Sequence, residues 1–393
     1  MKVLITGAKG FVGRNLCAAL EAVRDGQDRR ADHALADLVL YPYDVTNGPE
    51  ELEAWCAECD FVFNLAGVNR PKDEGEFMAG NFGFASTLLE TLKRHGNTCP
   101  VMLASSIQAS LTGRYAGSAY GESKKAGEEL FFRYGRETGA EVLVYRFPNL
   151  FGKWCRPNYN SVVATFCHNT AHGLPIRVDD PGAALDLVYI DDVVEELIRA
   201  LRGQAAREGA WCVVPVHHET TLGHVAETIR SFPRLREGLE VPDLSDSLTR
   251  DLYATYLSYL PASGAVRDLE MKEDARGSFT ELIRTPDRGQ LSVNISKPGV
   301  TKGRHWHHTK NEEFIVVKGE ALIRQRRIGT QADGSPYPVE EHRVSGRRLQ
   351  AVAMLPGHTH EIVNLSETED LVTVMWASEP FDPERPDTFS QEV

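Results

Sequence analysis

Two different alternations of apolar and polar positions run along this chain. Over the first two-thirds, short apolar runs alternate with stretches whose apolar residues recur every three or four positions. Residues 3–6, 38–43, 61–66, 101–105 and 142–147 read as strands, and 12–23, 82–94 and 123–137 as helices. Strands separated by helices must be joined by crossovers, which predicts a doubly wound parallel sheet of the Rossmann type in the α/β class. After Pro261 short strands dominate: 290–296, 313–317, 321–326, 352–355 and 371–376, punctuated by Pro-Gly, Lys-Gly and Asp-Gly turns. That pattern predicts a small all-β barrel or jelly roll. The connector Pro-Ala-Ser-Gly-Ala at 261–265 sets the expected domains at 1–262 and 263–393, with helical patches over 235–260 finishing the first.

Length and charge narrow the function. The 393 residues suit two domains. Apolar residues at 42% and charged residues at 25% exclude disordered and fibrous classes. A net charge of −13 opposes a nucleic-acid or anionic-membrane surface, either of which needs a positive field. No apolar run reaches the ~18–20 residues of a membrane span. The N-terminal apolar stretch, which enters a strand at once, is too short for a signal sequence. A cytoplasmic protein is expected. Seven scattered cysteines form no disulfide framework, and Cys56 and Cys59 lack two further ligands at zinc spacing, so they read as reduced thiols at a helix end.

Thr6-Gly7-Ala8-Lys9-Gly10-Phe11-Val12-Gly13 follows the first strand and opens a helix. Its glycines permit a tight turn and close approach of backbone to a pyrophosphate, and the helix N-terminus offers free N–H groups. The spacing resembles that of extended short-chain dehydrogenases/reductases. Asp44, after the second strand, is similar to that family's adenine-contacting Asp, and Asn64-Leu65-Ala66-Gly67 to its turn beside the cofactor ribose. An acid for a free ribose hydroxyl is expected about 20 residues past the glycines. A polar tract, 25–33, occupies that stretch, while Arg14, Arg29 and Arg30 are placed to meet a 2′-phosphate. NADPH is therefore the expected cofactor.

Tyr120 and Lys124 stand one helical turn apart on one face. An ammonium there stabilises tyrosinate, lowering the phenol pKa toward working pH, so that the phenol protonates an alkoxide as hydride reaches a ketone. Tyr115 has Ala119 at the partner position, and Lys125 lies off the Tyr120 face. By the family resemblance, Ser106 at the end of the preceding strand hydrogen-bonds the substrate carbonyl and Ser105 is its structural neighbour. Dehydratases of the family carry Asp-Glu where this chain has Ile107-Gln108, which disfavours water elimination. Residues 146–152 resemble the family's substrate-binding stretch, and Asn149, Lys153, Arg156 and, further on, Arg177 are candidate ligands of a nucleoside diphosphate; surface ion pairing explains any one of them as well.

In the second domain, Gly299 through Gly319 contains His305, His307 and Glu312 at the spacing of the first cupin motif. Pro356-Gly357 with His360 and Asn364 fits most of the second. His305 and His307 share strand parity, so their imidazoles converge. With Glu312 and His360 they form an N3O set suited to a divalent ion such as zinc. Trp306, His308 and Glu313 have the other parity and read as packing or surface. The segment 274–281, with Arg276, is similar to that of cupin epimerases acting on keto-deoxysugar nucleotides; Arg276 would grip a phosphate or form a strand-end salt bridge.

A reductase followed by such a cupin resembles, end to end, the bifunctional capsular polysaccharide enzymes that make UDP-N-acetyl-L-fucosamine precursors. The resemblance implies a homodimer acting on a UDP-2-acetamido-2,6-dideoxy-hexos-4-ulose. The cupin would epimerise the carbon beside the ketone, and the reductase would reduce that ketone with NADPH. His308, Lys310 and Tyr337 remain open as the base. A reductase with a structural barrel, or a non-catalytic sugar-nucleotide sensor, are the rival readings.

Overall fold

The computed structural model describes residues 1–30, 35, 37–70, 73 and 75–393. The first part of the chain runs β1 (Lys2–Thr6), α1 (Phe11–Arg24), β2 (Val39–Tyr43), α2 (Pro49–Glu58), β3 (Phe61–Asn64), α3 (Gly75–Phe77), α4 (Phe84–Arg94), β4 (Val101–Ser106), α5 (Ala119–Thr138) and β5 (Val142–Phe147). It continues with β6 (Asn149–Phe151), α6 (Val162–Ala171), β7 (Ala184–Tyr189), α7 (Ile190–Leu201), β8 (Arg207–Glu208), β9 (Trp211–Cys212), β10 (His218–Thr221), α8 (Leu222–Glu237) and α9 (Ser247–Leu257). Seven strands form one sheet in the order β2-β1-β3-β4-β5-β9-β8, parallel from β2 to β9. The period of two explains its two faces. Val3 and Ile5 face Leu16, Leu20, Val193 and Leu197 of α1 and α7, whereas Leu4 and Val62 face Leu52, Leu88 and Phe131 of α2, α4 and α5. Each such buried side chain contributes roughly 1.5–3 kcal/mol.

Among the described residues no strand lies between α1 and β2, so β2 pairs directly with β1. The last three residues of the polar tract, 31–33, lie outside the described ones.

The second part is antiparallel throughout, in strands β11 (Met271–Asp274), β12 (Gly277–Thr285), β13 (Gly289–Ser296), β14 (Thr301–Trp306), β15 (Glu312–Lys318) and β16 (Glu320–Arg327). Then follow β17 (Glu340–Ser345), β18 (Ala351–Met354), β19 (His358–Asn364), β20 (Leu371–Ala377) and β21 (Phe389–Ser390). Two sheets, β11-β12-β13-β20-β15-β18 and β17-β16-β19-β14-β21, make the jelly roll. Phe314, Val316, Ile323, Ile362 and Leu371 form its apolar core.

Contacts divide the chain differently from a single cut at 262. One unit comprises Met1–Arg230 and Asp251–Pro261, the other Ser231–Arg250 and Ala262–Val393. The segment 231–250 joins the barrel through its backbone: Val241 N–H donates to the Arg284 carbonyl (2.9 Å) and Arg284 N–H to that of Leu239 (2.9 Å). Helical periodicity predicts the helices that flank residues 238–246, but not which core this segment serves.

Candidate functional sites

The glycine loop follows β1. Gly7 has φ +68°, and a Cβ there would lie 2.7 Å from the Ala66 nitrogen; at Gly13 it would lie 2.2 Å from the Gly7 carbonyl. Only glycine fits either place. Gly10 caps α1 without a side-chain hydrogen bond, so the N–H groups of Phe11, Val12 and Gly13 open the helix toward any anion at the loop. This cradle fits a dinucleotide pyrophosphate. Leu65 and Ala66 are fixed by N–H bonds to the Thr6 carbonyl (3.2 Å) and hydroxyl (3.4 Å).

Asp44 also braces the glycine loop. Its carboxylate accepts the backbone N–H of Lys9 (2.7 Å) and of Val45 (2.9 Å), and so holds the glycine loop in place. Beside this loop Lys9, Arg14, Pro42 and Trp154 line one recess, with the Arg14 guanidinium 5.9 Å from the centre of the Trp154 ring. Arg30 is engaged elsewhere, with Asp28 and Glu195.

Ser106, Tyr120 and Lys124 converge at the carboxyl end of β4. Helix α5 approaches the turn after β4 so closely that a Cβ on Gly121 would stand 2.4 Å from the Gln108 carbonyl. Ser118 caps α5 by accepting the Gly121 N–H (3.0 Å), and its hydroxyl donates to the Gln108 side chain (3.0 Å). Burial pushes the Tyr120 phenol up to about 12, opposed by the Ser106 hydroxyl. Burial likewise pushes the Lys124 ammonium down to about 8, opposed by Glu128. Lys124 Nζ donates to the Ala104 carbonyl (2.9 Å) and lies 5.7 Å from the Tyr120 ring centre. The ammonium therefore does not by itself bring the phenol toward neutrality, because desolvation dominates both groups. Ser105 turns away and donates to Glu128 (2.5 Å), which also binds Arg146 (2.6 Å).

Asn81 was not apparent from the sequence. It is buried, accepts from the Val68 N–H (2.9 Å), and donates to the Val68 carbonyl (3.1 Å) and the Ser123 hydroxyl (3.0 Å). A Cβ on Gly67 would stand 2.7 Å from the Asn81 oxygen and 3.1 Å from Lys124 Nζ. Asn81 thus ties the Gly67 turn to α5, but no local motif marks it.

The proposed substrate side chains scatter. Asn149 donates to the Asp186 carbonyl (3.1 Å), Lys153 pairs with Asp191, and Arg177 pairs with Asp179 while its side chain stays 88% exposed. Arg156 lies over the Tyr159 ring at 5.1 Å, and Tyr159 is near enough to act on the Tyr120 phenol. Of these side chains, Arg156 is the one that this contact links to the convergent site.

In the barrel, His305, His307, Glu312 and His360 each offer a ligand atom, and all four atoms lie within 4.8 Å of one another. A bulge at Arg304 (φ +63°), following Gly303 at φ +98°, sets His305 opposite His360. His307 Nε2 and His360 Nε2 each stand 3.4 Å from Glu312 Oε2, and all three atoms lack a hydrogen-bond partner among the described residues. Burial pushes His305 down to about 4, so it is a neutral donor. Burial raises the Glu312 carboxyl, but His307, His360 and Lys310 outweigh that and hold it well below the usual carboxylate range. Buried, convergent and unpaired nitrogen and oxygen donors fit a divalent ion.

Asp387 supports this cluster from far along the chain. Its carbonyl accepts from His307 Nδ1, directing Nε2 inward, and its carboxylate accepts the N–H groups of His308, Thr309 and Lys310 (2.8–2.9 Å). The donors His305 and Glu312 open onto a cavity of about 490 Å3, which Lys310 and Arg276 also line. Arg276 pairs with Asp274 at 2.7 Å. His308 packs on Trp306 and Phe389, and Tyr337 lies under Arg327, so of the three basic candidates Lys310 is the one in the cavity wall.

Residues 3–212 match the NAD dependent epimerase/dehydratase family. The chain belongs to that family. A nicotinamide cofactor goes with this membership, and residues 272–389 match the polysaccharide biosynthesis C-terminal domain. A Pseudomonas aeruginosa protein, UDP-2-acetamido-2,6-beta-L-arabino-hexul-4-ose reductase, is 40% identical over all of this chain and 99% of its own length. The crystal structure of the capsular polysaccharide assembling protein CapF from Staphylococcus aureus superposes with a TM-score of 0.88 at 44% identity, covering both chains fully. UDP-glucuronic acid 4-epimerase from Bacillus cereus, at 18% identity and a TM-score of 0.52 over 66% of this chain and 98% of its own, shares the fold alone. Among the described residues no helix is long and apolar enough to cross a membrane.

Proposed function

We propose that the chain is a bifunctional sugar-nucleotide enzyme whose substrate is a UDP-2-acetamido-2,6-dideoxy-hexos-4-ulose. In this reading the barrel epimerises the carbon next to the 4-ketone and the first unit reduces that ketone, giving a precursor of UDP-N-acetyl-L-fucosamine. The observation that carries it is one chain holding a Ser-Tyr-Lys site beside a dinucleotide cradle together with a buried N3O donor set beside a cavity. The substrate named for the 40% identical relative supports the sugar.

The nicotinamide, when bound, supplies a hydride. The chain's own part is to hold the ketone oxygen at the Ser106 hydroxyl and to deliver the Tyr120 proton to that oxygen as charge develops on it. Lys124, charged below about pH 8, stabilises the tyrosinate left behind. NADPH is favoured over NADH because Lys9 and Arg14 line the recess beside the loop. Comparable kcat/KM for the two cofactors would remove that preference.

Zinc is the ion that three imidazoles and a carboxylate suit, held by His305, His307, Glu312 and His360. A divalent ion held there would supply polarisation of a substrate carbonyl, which makes the neighbouring C–H more acidic. The free thiols at all seven cysteines agree with a cytoplasmic location. The end-to-end likeness to the capsular enzymes supports a homodimer.

The test is solvent deuterium exchange into the substrate without cofactor. Wild type should exchange one carbon-bound hydrogen next to the ketone. The His305→Ala protein should not, yet should still reduce a pre-epimerised ketone. Absence of exchange in wild type would leave a reductase with a structural barrel, and failure to oxidise NADPH on adding substrate would leave a sensor.

A further inference from the structure

One wall of the barrel cavity has no part in the chemistry above. Along β13, Gln290, Ser292 and Asn294 line the cavity together, as the strand period of two requires. Two of them are engaged: Ser292 donates to the Met375 carbonyl (3.4 Å), and Asn294 accepts from Lys302 Nζ (2.7 Å). Gln290 is different. It is 6% exposed, and its side-chain oxygen has no hydrogen-bond partner among the described residues.

A second buried glutamine of the same unit shows what a structural carboxamide does. Gln325 is 3% exposed; its Nε2 donates to the Ala353 carbonyl (2.9 Å) and its Oε1 accepts the Leu355 N–H (3.1 Å). Both ends are satisfied by backbone. An amide oxygen left unpaired in a buried wall costs stability unless a ligand completes it.

Register places Gln290 at the level of the metal donors. It pairs with Ala377 on β20, and Ala377 pairs on its other side with Glu312. Two ladder spacings, roughly 10 Å, therefore separate the backbones that carry Gln290 and Glu312. Residues opposed across a ladder share a sheet face, so both side chains border the same cavity, on either side of Ala377. Phe314, Ile362 and Met375 supply apolar lining to the same cavity. The group on the sugar that matches a carboxamide is another amide, since each offers one N–H donor and one carbonyl acceptor.

We propose that Gln290 reads the 2-acetamido group of the sugar in the barrel: its oxygen accepts the acetamido N–H, and its NH2 donates to the acetamido carbonyl. The proposal rests on the reading that the barrel acts on a 2-acetamido keto-sugar, and it makes Gln290 a specificity residue. The test uses cofactor-free deuterium exchange with two probes, the UDP-2-acetamido-2,6-dideoxy-hexos-4-ulose and its 2-hydroxy counterpart. Gln290→Leu should raise KM for the acetamido probe about tenfold or more, with kcat changing far less, and should abolish the preference for it. Metal content should match wild type, and the melting temperature without ligand should not fall. Gln290→Glu, which keeps an acceptor and loses the donor, should fall between the two, and it serves as the test variant if the leucine protein does not fold. Unchanged KM and unchanged preference in the folded variant would overturn the assignment to Gln290 alone. Absence of exchange in wild type would instead overturn the epimerase reading beneath it.

Discussion

The two sites handle buried polar groups in opposite ways. Around Tyr120, Lys124 donates to Ala104, Ser105 to Glu128, and Asn81 is bonded at both ends of its amide. In the barrel, the second nitrogens of His307 and His360 and one oxygen of Glu312 converge with no hydrogen-bond partner among the described residues. A network complete without its ligand is set to hold a proton and release it on demand. A network of converging, unshared lone pairs is suited to a cation. In the proposed function, the first unit carries its proton donor covalently, in a phenol, whereas the second would acquire a divalent ion.

The sharpest way to break this comparison is to remove the phenol. Tyr120→Phe should lower kcat for NADPH-dependent ketone reduction about 10²–10⁴-fold, the range for loss of a general acid. It should leave cofactor-free exchange in the barrel at the wild-type rate. A variant that consumes NADPH normally would show that the proton comes from elsewhere, and a variant that loses both activities would show that the two sites do not act independently.

How much of this could be read from the chain follows from distance along it. Gly7, Gly10 and Gly13 lie within one turn and the helix start that follows it, and Tyr120 with Lys124 and His305 with His307 are spaced by the helix or strand period itself, so local sequence carries the geometry. The residues that hold those groups in place are remote. Asn81 reaches Val68 and Ser123, and Asp387 reaches back to His307 across 80 residues. Side-chain bonds to distant backbone leave no periodic trace. Asp44 shows a second role of this kind: its position after β2 was legible, but its bond to the Lys9 N–H was visible only once β2 lay directly against β1. Residues 235–260 were legible as helical patches, yet the attachment of Leu239 and Val241 to Arg284 was not, because pairing partners are a tertiary fact.

Asp387 therefore tests the incomplete network more finely than loss of a ligand would. Asp387→Asn keeps the carbonyl that orients His307 and weakens the charged clamp on His308, Thr309 and Lys310. Metal affinity, measured by competition with a chelator, should fall 10–100-fold, as for other outer supports of metal ligands. Reduction of a pre-epimerised ketone should not change. Equal metal affinity in variant and wild type would mean that the 308–310 loop is rigid without this carboxylate.

The smallest effect concerns the complete network and comes from pH. Lys124 is held at about 8 in the folded chain, against 10.5 when unperturbed, so raising the pH from 7 to 9 should discharge it and cut kcat about tenfold. The phenol keeps its proton until about 12, so an inflection near 8 belongs to Lys124 and one near 12 would belong to Tyr120. Stability runs the other way. Between about 8 and 10.5 the unfolded chain binds a proton that the folded chain does not, so this group adds stability as pH rises through that window, and below about 8 its burial as a cation weighs fully against the fold. Lys124→Met should flatten the stability slope between pH 8 and 10.5. If that slope survives the substitution, another buried base sets it, and the falling activity would have to be assigned to that group instead.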